Sequence, residues 1–300
     1  MTELANLKAF NVKEADLTLW TFKGTVPQIN GHWIETTDEL DQELKRVFLS
    51  QLNGFSEEQN YSLLAQNNEE SVMTLPSDET DVYVISEAIG QITSGRKTQS
   101  VKTLRNAKFY VVRFVHNGQV VFAVRKTDPS WKTKAATNVL TAIYKDRELD
   151  LAEDDGFKIQ RTFDFFCIND QLLISDKRNF ETILNYRAAH ENDFEQLQAE
   201  AEFIQVFAEL THLRSFVGIN RLQLRRMSAI RVKSFYKDEG FMNNLRLRYA
   251  EFGLNIVFDG EGKIIPTPET CRDIMTALLD HRLRSGFSGN TYDVPDAVQV

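Results

Sequence analysis

Residues 163–186, FDFFCINDQLLISDKRNFETILNY, hold two apolar runs, a turn and the start of a helix in one segment. The runs meet at Asn169-Asp170, a pair that accepts the left-handed backbone of a two-residue hairpin turn. Asp176 then stands where a helix N-cap belongs. Phe180, Ile183 and Leu184 follow at helical spacing, with Glu181 in the early turns, where the macrodipole favours an anion. A chain that carries this unit is committed to antiparallel strands packed with helices, which is the α+β class.

A second hairpin is clearer still. In residues 107–126, Asn117-Gly118 supplies the residues a type I′ turn prefers. Closure there pairs Phe114 with Val121, Val112 with Ala123 and Tyr110 with Arg125 on one face. The other face pairs Val115 with Val120, Arg113 with Phe122, Val111 with Val124 and Phe109 with Lys126. Both faces are mainly apolar, so the hairpin belongs inside a covered sheet. Arg113 among apolar neighbours reads as a buried ion pair or a stack on Phe122.

Elsewhere the pattern gives an amphipathic helix over Asp38–Leu52, capped by Thr37 or Asp38. The polar stretch 56–77 reads as a short helix or a loop, and Val82–Ile85 as a strand. Residues 188–210 have helical spacing with an acidic face. A hairpin loop is expected around Asp259–Gly262, then a helix from about Pro268 whose C-terminal dipole suits Arg282 and Arg284, then a last strand near Thr291–Val294. The change from basic to acidic sequence through KDRELDLAEDDG, with Asp155-Gly156, suggests a divide near residue 150. Two closely associated α+β parts, 1–150 and 151–300, follow from that reading.

With 42% hydrophobic residues and 21 Phe, the 300 residues can bury a substantial core. The N-terminal stretch lacks a signal-peptide pattern, and no window approaches the ~20 apolar residues of a membrane helix. A soluble cytoplasmic protein is expected. Cys167 and Cys271 are far apart, and His32, His116, His190, His212 and His281 are dispersed. No metal or other cofactor is therefore expected.

The net charge of −8 hides strong segregation. Residues 1–95 carry net −11, 96–134 net +9, 146–210 net −10 and 211–248 net +7. Local patches, not net charge, set the potential a polyanion meets. In the first basic block, residues 90–103 combine glycine, hydroxyl groups and the cations Arg96, Lys97 and Lys102, which suits phosphate contact. A solvated loop is the plainer reading, and the spacing is not that of an ATP-binding loop. Arg125 and Lys126 emerge at the end of the second hairpin and extend the same rim. In the second block, Asn220 can cap a helix that turns Arg221 and Arg225 away from its apolar side, while Arg226 falls within that side. Arg231 and Lys233 follow where helix and strand cannot be separated by period. The interleaved Tyr236, Phe241 and Tyr249 suit either base stacking or, as most aromatics do, a core.

Four blocks bear a family likeness: residues 109–126, the 163–186 unit, 213–233 and 256–294. Their order resembles the KwaB-like family of the Kiwa anti-phage system. The resemblance implies a homodimeric defence protein that binds invading double-stranded DNA and blocks its use. It further implies control by a membrane-embedded Kiwa sensor, which would recruit the chain to the inner membrane.

Two other classes stay open. Asp259, Glu261 and Lys263 form the best catalytic grouping in the chain, two carboxylates for a divalent cation and a lysine to orient water, as in metal-dependent nucleases. They fall in a glycine-bearing turn where Asp and Glu are ordinary. The third class is an adaptor whose basic blocks dock on anionic lipid or an acidic protein. The preferred reading is not an enzyme. It is a DNA binder acting through backbone phosphates, with Arg221, Arg225, Arg231, Lys233, Arg96, Lys97, Lys102, Arg125 and Lys126 as its contact residues.

Overall fold

The computed structural model describes residues 2–65, 68–98, 100–128, 142–145, 148–151 and 157–294. The chain divides into two compact units, Met1–Tyr61 with Asn67–Asn185, and Ser62–Gln66 with Tyr186–Val300. Where the charge pattern suggested a divide near residue 150, the units part at Asn185. Asp155-Gly156, on which that expectation rested, lies outside the described residues. The architecture is α+β, as the two hairpins required.

The first unit runs α1 (Glu3–Ala9), β1 (Asp16–Thr25), β2 (Gln28–Ile34), α2 (Asp38–Gly54), β3 (Glu57–Asn60), β4 (Ser71–Pro76), α3 (Tyr83–Gly90) and α4 (Val101–Leu104). It continues through β5 (Phe109–His116), β6 (Gln119–Lys126), β7 (Ala142–Lys145), β8 (Glu148–Leu151), β9 (Phe165–Ile168), β10 (Gln171–Ile174) and α5 (Lys177–Ile183). Eight strands form one sheet in the order β2-β1-β5-β6-β9-β10-β4-β3, and β7 and β8 pair separately. Within the large sheet only β3 and β4 run parallel.

Both foreseen hairpins form. Asn117 and Gly118 take φ of 51° and 79°, Asn169 and Asp170 take 49° and 60°, and each pair closes a two-residue turn. The register of β5 on β6 is the one the turn dictates, with Val112 opposite Ala123 and Arg113 opposite Phe122. Arg113 is half-buried, and burial lowers its pKa. Asp176 caps α5 by accepting from the Asn179 amide at 2.9 Å, and Thr37 caps α2 through the Leu40 amide at 3.3 Å.

One face of the sheet packs Val112, Phe114, Val121, Ala123 and Phe166 against Leu44, Phe48 and Leu52 of α2 and against α1. On the other face Phe109, Val111, Val124 and Phe165 are equally buried, and the Phe180 ring of α5 meets Phe165 at 5.1 Å. That double cover explains why the strand runs are nearly continuous in apolar residues. An aromatic ladder stiffens the β1 end of this face, with Phe22 stacked on Phe109 at 4.8 Å and beside Trp20 at 6.2 Å. Gly31 in β2 makes room for it, since a Cβ there would lie 2.3 Å from Phe22 Cε1. Gly31→Ala is therefore expected to cost about 1–3 kcal/mol by overpacking. A urea midpoint unchanged from wild type would show that the ring can yield.

Two expectations in this unit are corrected. Val82–Ile85 opens the helix α3, which buries Ile85 and Ile89 one turn apart, so its β-favouring residues are placed by helical packing. Residues 57–60 and 71–76 are strands, the first a polar edge strand and the second buried beside it.

The second unit is mainly helical: α6 (Tyr186–Ala199), α7 (Ala201–Gln205), α8 (Thr211–Val217), α9 (Arg221–Lys233), α10 (Glu239–Arg248) and α11 (Cys271–Leu278), then the hairpin strands β11 (Arg282–Arg284) and β12 (Thr291–Asp293). Its core joins Leu197 and Phe203 to Leu224, Met227 and Ile230 of α9 and to Ile274 and Met275 of α11. The helix expected from Pro268 begins at Cys271 and ends at Leu278. Arg282 and Arg284 lie beyond it, on β11, and do not serve its dipole.

Candidate nucleic-acid interface

The nine cations singled out from the sequence are divided between the units. Arg96, Lys97, Lys102, Arg125 and Lys126 belong to the first, and Arg221, Arg225, Arg231 and Lys233 to the second.

In the first unit, backbone bonds gather lysines at one end of β1, β5 and β6. Phe22 pairs with Phe109, and Phe109 with Lys126. The Lys108 amide donates to the Phe22 carbonyl at 2.7 Å, and the Thr127 amide donates to the Lys108 carbonyl at 3.0 Å. Lys23 reaches across to donate its Nζ to the Lys102 carbonyl at 3.0 Å. Lys23, Lys102, Lys108 and Lys126 thus share one sheet end, with Lys102 and Lys108 exposed. Among the described residues the ammonium groups of Lys102, Lys108 and Lys126 make no ion pair. Lys108 closes the basic strand entrance 96–108 but was not among the expected contact residues, and Lys23, alone after an apolar strand run, was missed from the sequence. Their neighbourhood exists only once β1 pairs with β5.

The other three cations of this unit are engaged locally. Arg96 donates to the Ala88 carbonyl at 3.2 Å. Lys97 is ion-paired with Glu35 and lies over the Trp33 ring, 5.3 Å from its centroid. Together they fasten the loop before α4 onto β2 and the end of α3. Arg125 forms an ion pair at 2.5 Å with Asp164, whose side chain is fully buried. Asp164 also accepts from the Lys126 amide at 2.6 Å and from Asn179 Nδ2 at 3.1 Å. Three donors favour its charged form, yet burial dominates and pushes its carboxyl up to about 6. The arginine at the expected rim is thereby tied to the interior.

In the second unit, Asn220 Oδ1 caps α9 by accepting from the Leu222 and Gln223 amides at 3.0 and 3.4 Å. The helix continues to Lys233, which settles the helix-or-strand question left open for residues 229–236; Ser234 then ends it in the left-handed region. No acidic residue stands in its first turn, so Arg221 adds its charge to the positive end of the helix dipole. Arg221 is exposed, while Arg225 and Arg226 are half-buried. Arg226 reaches Gln223 Oε1 at 3.4 Å, and burial lowers its pKa. Arg231 is paired with Asp193 of α6 at 2.6 Å. Lys233 donates to the Leu279 carbonyl at 3.0 Å, past the end of α11, and sits 3.2 Å from His281 Nε2. Burial, with Lys233 and Arg226 nearby, pushes His281 down to about 4. The cationic surface of α9 therefore lies at its N-terminal end.

Tyr236 is buried, and Phe241 and Tyr249 pack against the core, so these aromatics take the structural role and not the stacking one. In the turn between Phe258 and Ile264, which form an isolated antiparallel bridge, Asp259 Oδ1 accepts from the Glu261 and Lys263 amides at 2.9 and 2.8 Å. Lys263 pairs with Glu261 at 3.0 Å, and Arg246 donates to the Gly262 carbonyl at 2.8 Å. The grouping that suggested a nuclease is thus the clasp of a loop, with one Asp259 oxygen already committed to backbone. Among the described residues no cluster of three or more His, Cys, Asp or Glu side chains is placed to hold a metal ion.

Residues 104–287, more than half of the chain, match the family described as Kiwa protein KwaB-like. The chain belongs to that family. It is accordingly a component of a Kiwa anti-phage defence system. The matched stretch takes in β5, β6, the 163–186 unit and all of α9, and ends within the β11–β12 hairpin. No curated protein and no solved structure matches the chain. Among the described residues, no helix of this KwaB-like chain is long and apolar enough to cross a membrane.

Proposed function

We propose that the chain acts in Kiwa defence by occupying double-stranded DNA through its phosphates, obstructing replication or transcription without making or breaking a bond. The observation that carries this reading is the gathering of Lys23, Lys102, Lys108 and Lys126 at one end of β1, β5 and β6. The N-terminal end of α9, with Arg221 and Arg225, is the second contact. Flexible ammonium groups with no carboxylate partner lose little on meeting phosphate, and the counterions they displace supply sequence-independent affinity. An antiviral binder gains from that indifference, because the sequence it meets is unknown in advance. Arg96, Lys97, Arg125, Arg231 and Lys233 support these contacts by holding the elements in place. Family membership supports a working homodimer governed by a membrane-embedded Kiwa partner.

The test is binding to a labelled duplex across a salt series, with magnesium present and product integrity followed. Affinity is expected to fall steeply with salt while the DNA stays whole. Lys102→Glu with Lys126→Glu should weaken binding on all sequences alike and flatten the salt slope by about two. Arg221→Glu should add a further loss. No binding at low salt would defeat the reading, and cut DNA would replace occupancy with metal-dependent hydrolysis.

A further inference from the structure

The most exposed large apolar side chain of the described residues is Phe287, whose accessible surface is 107% of the reference value. It stands at the tip of the β11–β12 hairpin and is not there through disorder of the loop. Ser285 Oγ accepts from the Phe287 and Ser288 amides, both at 3.2 Å. The Ser285 amide donates to the Asn290 carbonyl at 2.9 Å, and the Gly289 amide donates to the Ser285 carbonyl at 3.0 Å. The base is anchored as firmly. Arg282 pairs with Asp293 at 2.6 Å and donates to the Phe252 carbonyl at 3.0 Å, and the Val294 amide donates to His281 at 2.7 Å. A braced arm therefore holds one aromatic ring wholly in solvent. Below it Leu283 and Tyr292 face each other across the strands, and both are exposed.

We propose that this hairpin lays Phe287 against a DNA base step while Arg284 takes the adjacent phosphate. The proposal rests on the DNA-binding reading above and adds to it the site of contact with bases. Arg284 uses Nε on the Gly289 carbonyl at 3.0 Å, which fixes the guanidinium while its two terminal nitrogens make no hydrogen bond or ion pair among the described residues. Between Arg282 and Asp293 the chain carries no acidic residue, so the tip has a charge that complements a polyanion. Gly286 and Gly289 keep the tip narrow beside the ring. A single apolar wedge on a slim cationic arm is the form that enters between base pairs and unstacks them. A lipid surface fits less well, because at the tip itself Ser285, Gly286, Ser288, Gly289 and Asn290 surround a single ring with polar or side-chain-free positions, and Leu283 and Tyr292 stand back on the strands.

The experiment uses the full chain and a duplex carrying 2-aminopurine, whose fluorescence rises when its neighbours unstack. Wild type is expected to bind and raise the signal. Phe287→Ala, which removes an exposed ring and so leaves the fold intact, should bind about tenfold more weakly and lose the rise. Phe287→Trp should restore both. Binding and signal unchanged in Phe287→Ala would overturn the arm while leaving phosphate binding standing; a wild-type chain that binds no duplex would overturn the DNA reading itself. Loss in Phe287→Ala of binding to phosphatidylglycerol–phosphatidylethanolamine vesicles, with DNA binding unaffected, would overturn the proposal in favour of a lipid contact.

Discussion

Asp164→Ala is expected to lower the unfolding free energy by about 3–5 kcal/mol, because it strands a guanidinium in the interior. Arg125 pairs with this carboxylate at 2.5 Å, and the Lys126 amide and Asn179 lose their acceptor with it. The residue also ties three elements together. Its backbone carbonyl accepts from the Ser175 and Asp176 amides, both at 2.9 Å, linking the start of β9 to the end of β10 and the cap of α5. Urea unfolding measures the loss, and a cost under about 1 kcal/mol would mean that Arg125 finds water in the variant.

The same carboxyl gives a pH signature. Burial raises it to about 6, above the ordinary value of 3.8, so the folded chain holds this proton more tightly than the unfolded chain does. Its contribution to stability is complete below about pH 4 and is lost as pH rises through about 6, at about 1.4 kcal/mol per unit between them. Asp164→Asn removes the titrating group. The difference in stability between wild type and this variant should change across pH 4–6 and stay level above it. A difference that is flat throughout would place the carboxyl at its ordinary value.

Phe48→Ala is the second large expected effect, a loss of about 3–5 kcal/mol. Phe48 is fully buried on α2, and its ring meets those of Phe114 at 4.9 Å, Phe166 at 5.4 Å and Phe163 at 6.5 Å. It is the contact through which a helix made before residue 55 is joined to strands made after 109 and 163. Removing it leaves a void between rigid rings that cannot collapse together. Phe48→Leu, which refills most of that volume, should cost markedly less. Equal costs for the two variants would show that ring stacking, and not volume, holds α2 to the sheet.

The parts of this fold that were legible in the sequence are those whose information is local. Asn117-Gly118 and Asn169-Asp170 each announce a turn, and a turn of known length sets every pairing behind it. Asp176, Thr37 and Asn220 announce caps in the same way. What stayed hidden depends on distant partners. The edge strand Glu57–Asn60 has no alternation to reveal it, since its pairing comes from residues 71–74. Val82–Ile85 carries strand-favouring side chains, but two of its burial positions fit a helical turn.

For the proposed interface, charge segregation marked two basic blocks and could not rank their members. Arg125, Lys97 and Arg231 each have a carboxylate partner about 40–60 positions away, in Asp164, Glu35 and Asp193, and nothing local marks such a pairing. Lys23 went unnoticed for the converse reason: its companions come from other segments. Phe287 lies in the 256–294 block without its exposure being visible there, because composition does not tell a core aromatic from one held in solvent.

The strand order of the large sheet also sets a timetable for its assembly. Strands β1, β2, β5 and β6 are adjacent in the sheet and are all made by residue 126, so this half can pair as soon as it leaves the ribosome. Strands β3 and β4 are made before β5 but lie at the far edge, where Thr74 pairs with Leu173. They must wait for β9 and β10, which bridge the two halves. At ordinary rates of synthesis, roughly 5–20 residues per second, that delay lasts about 5–20 s. Over this interval Val72, Met73 and Leu75 have no sheet to join. The nascent chain is then most open to proteases and to misassociation, and a chaperone would find its most productive grip on residues 71–76.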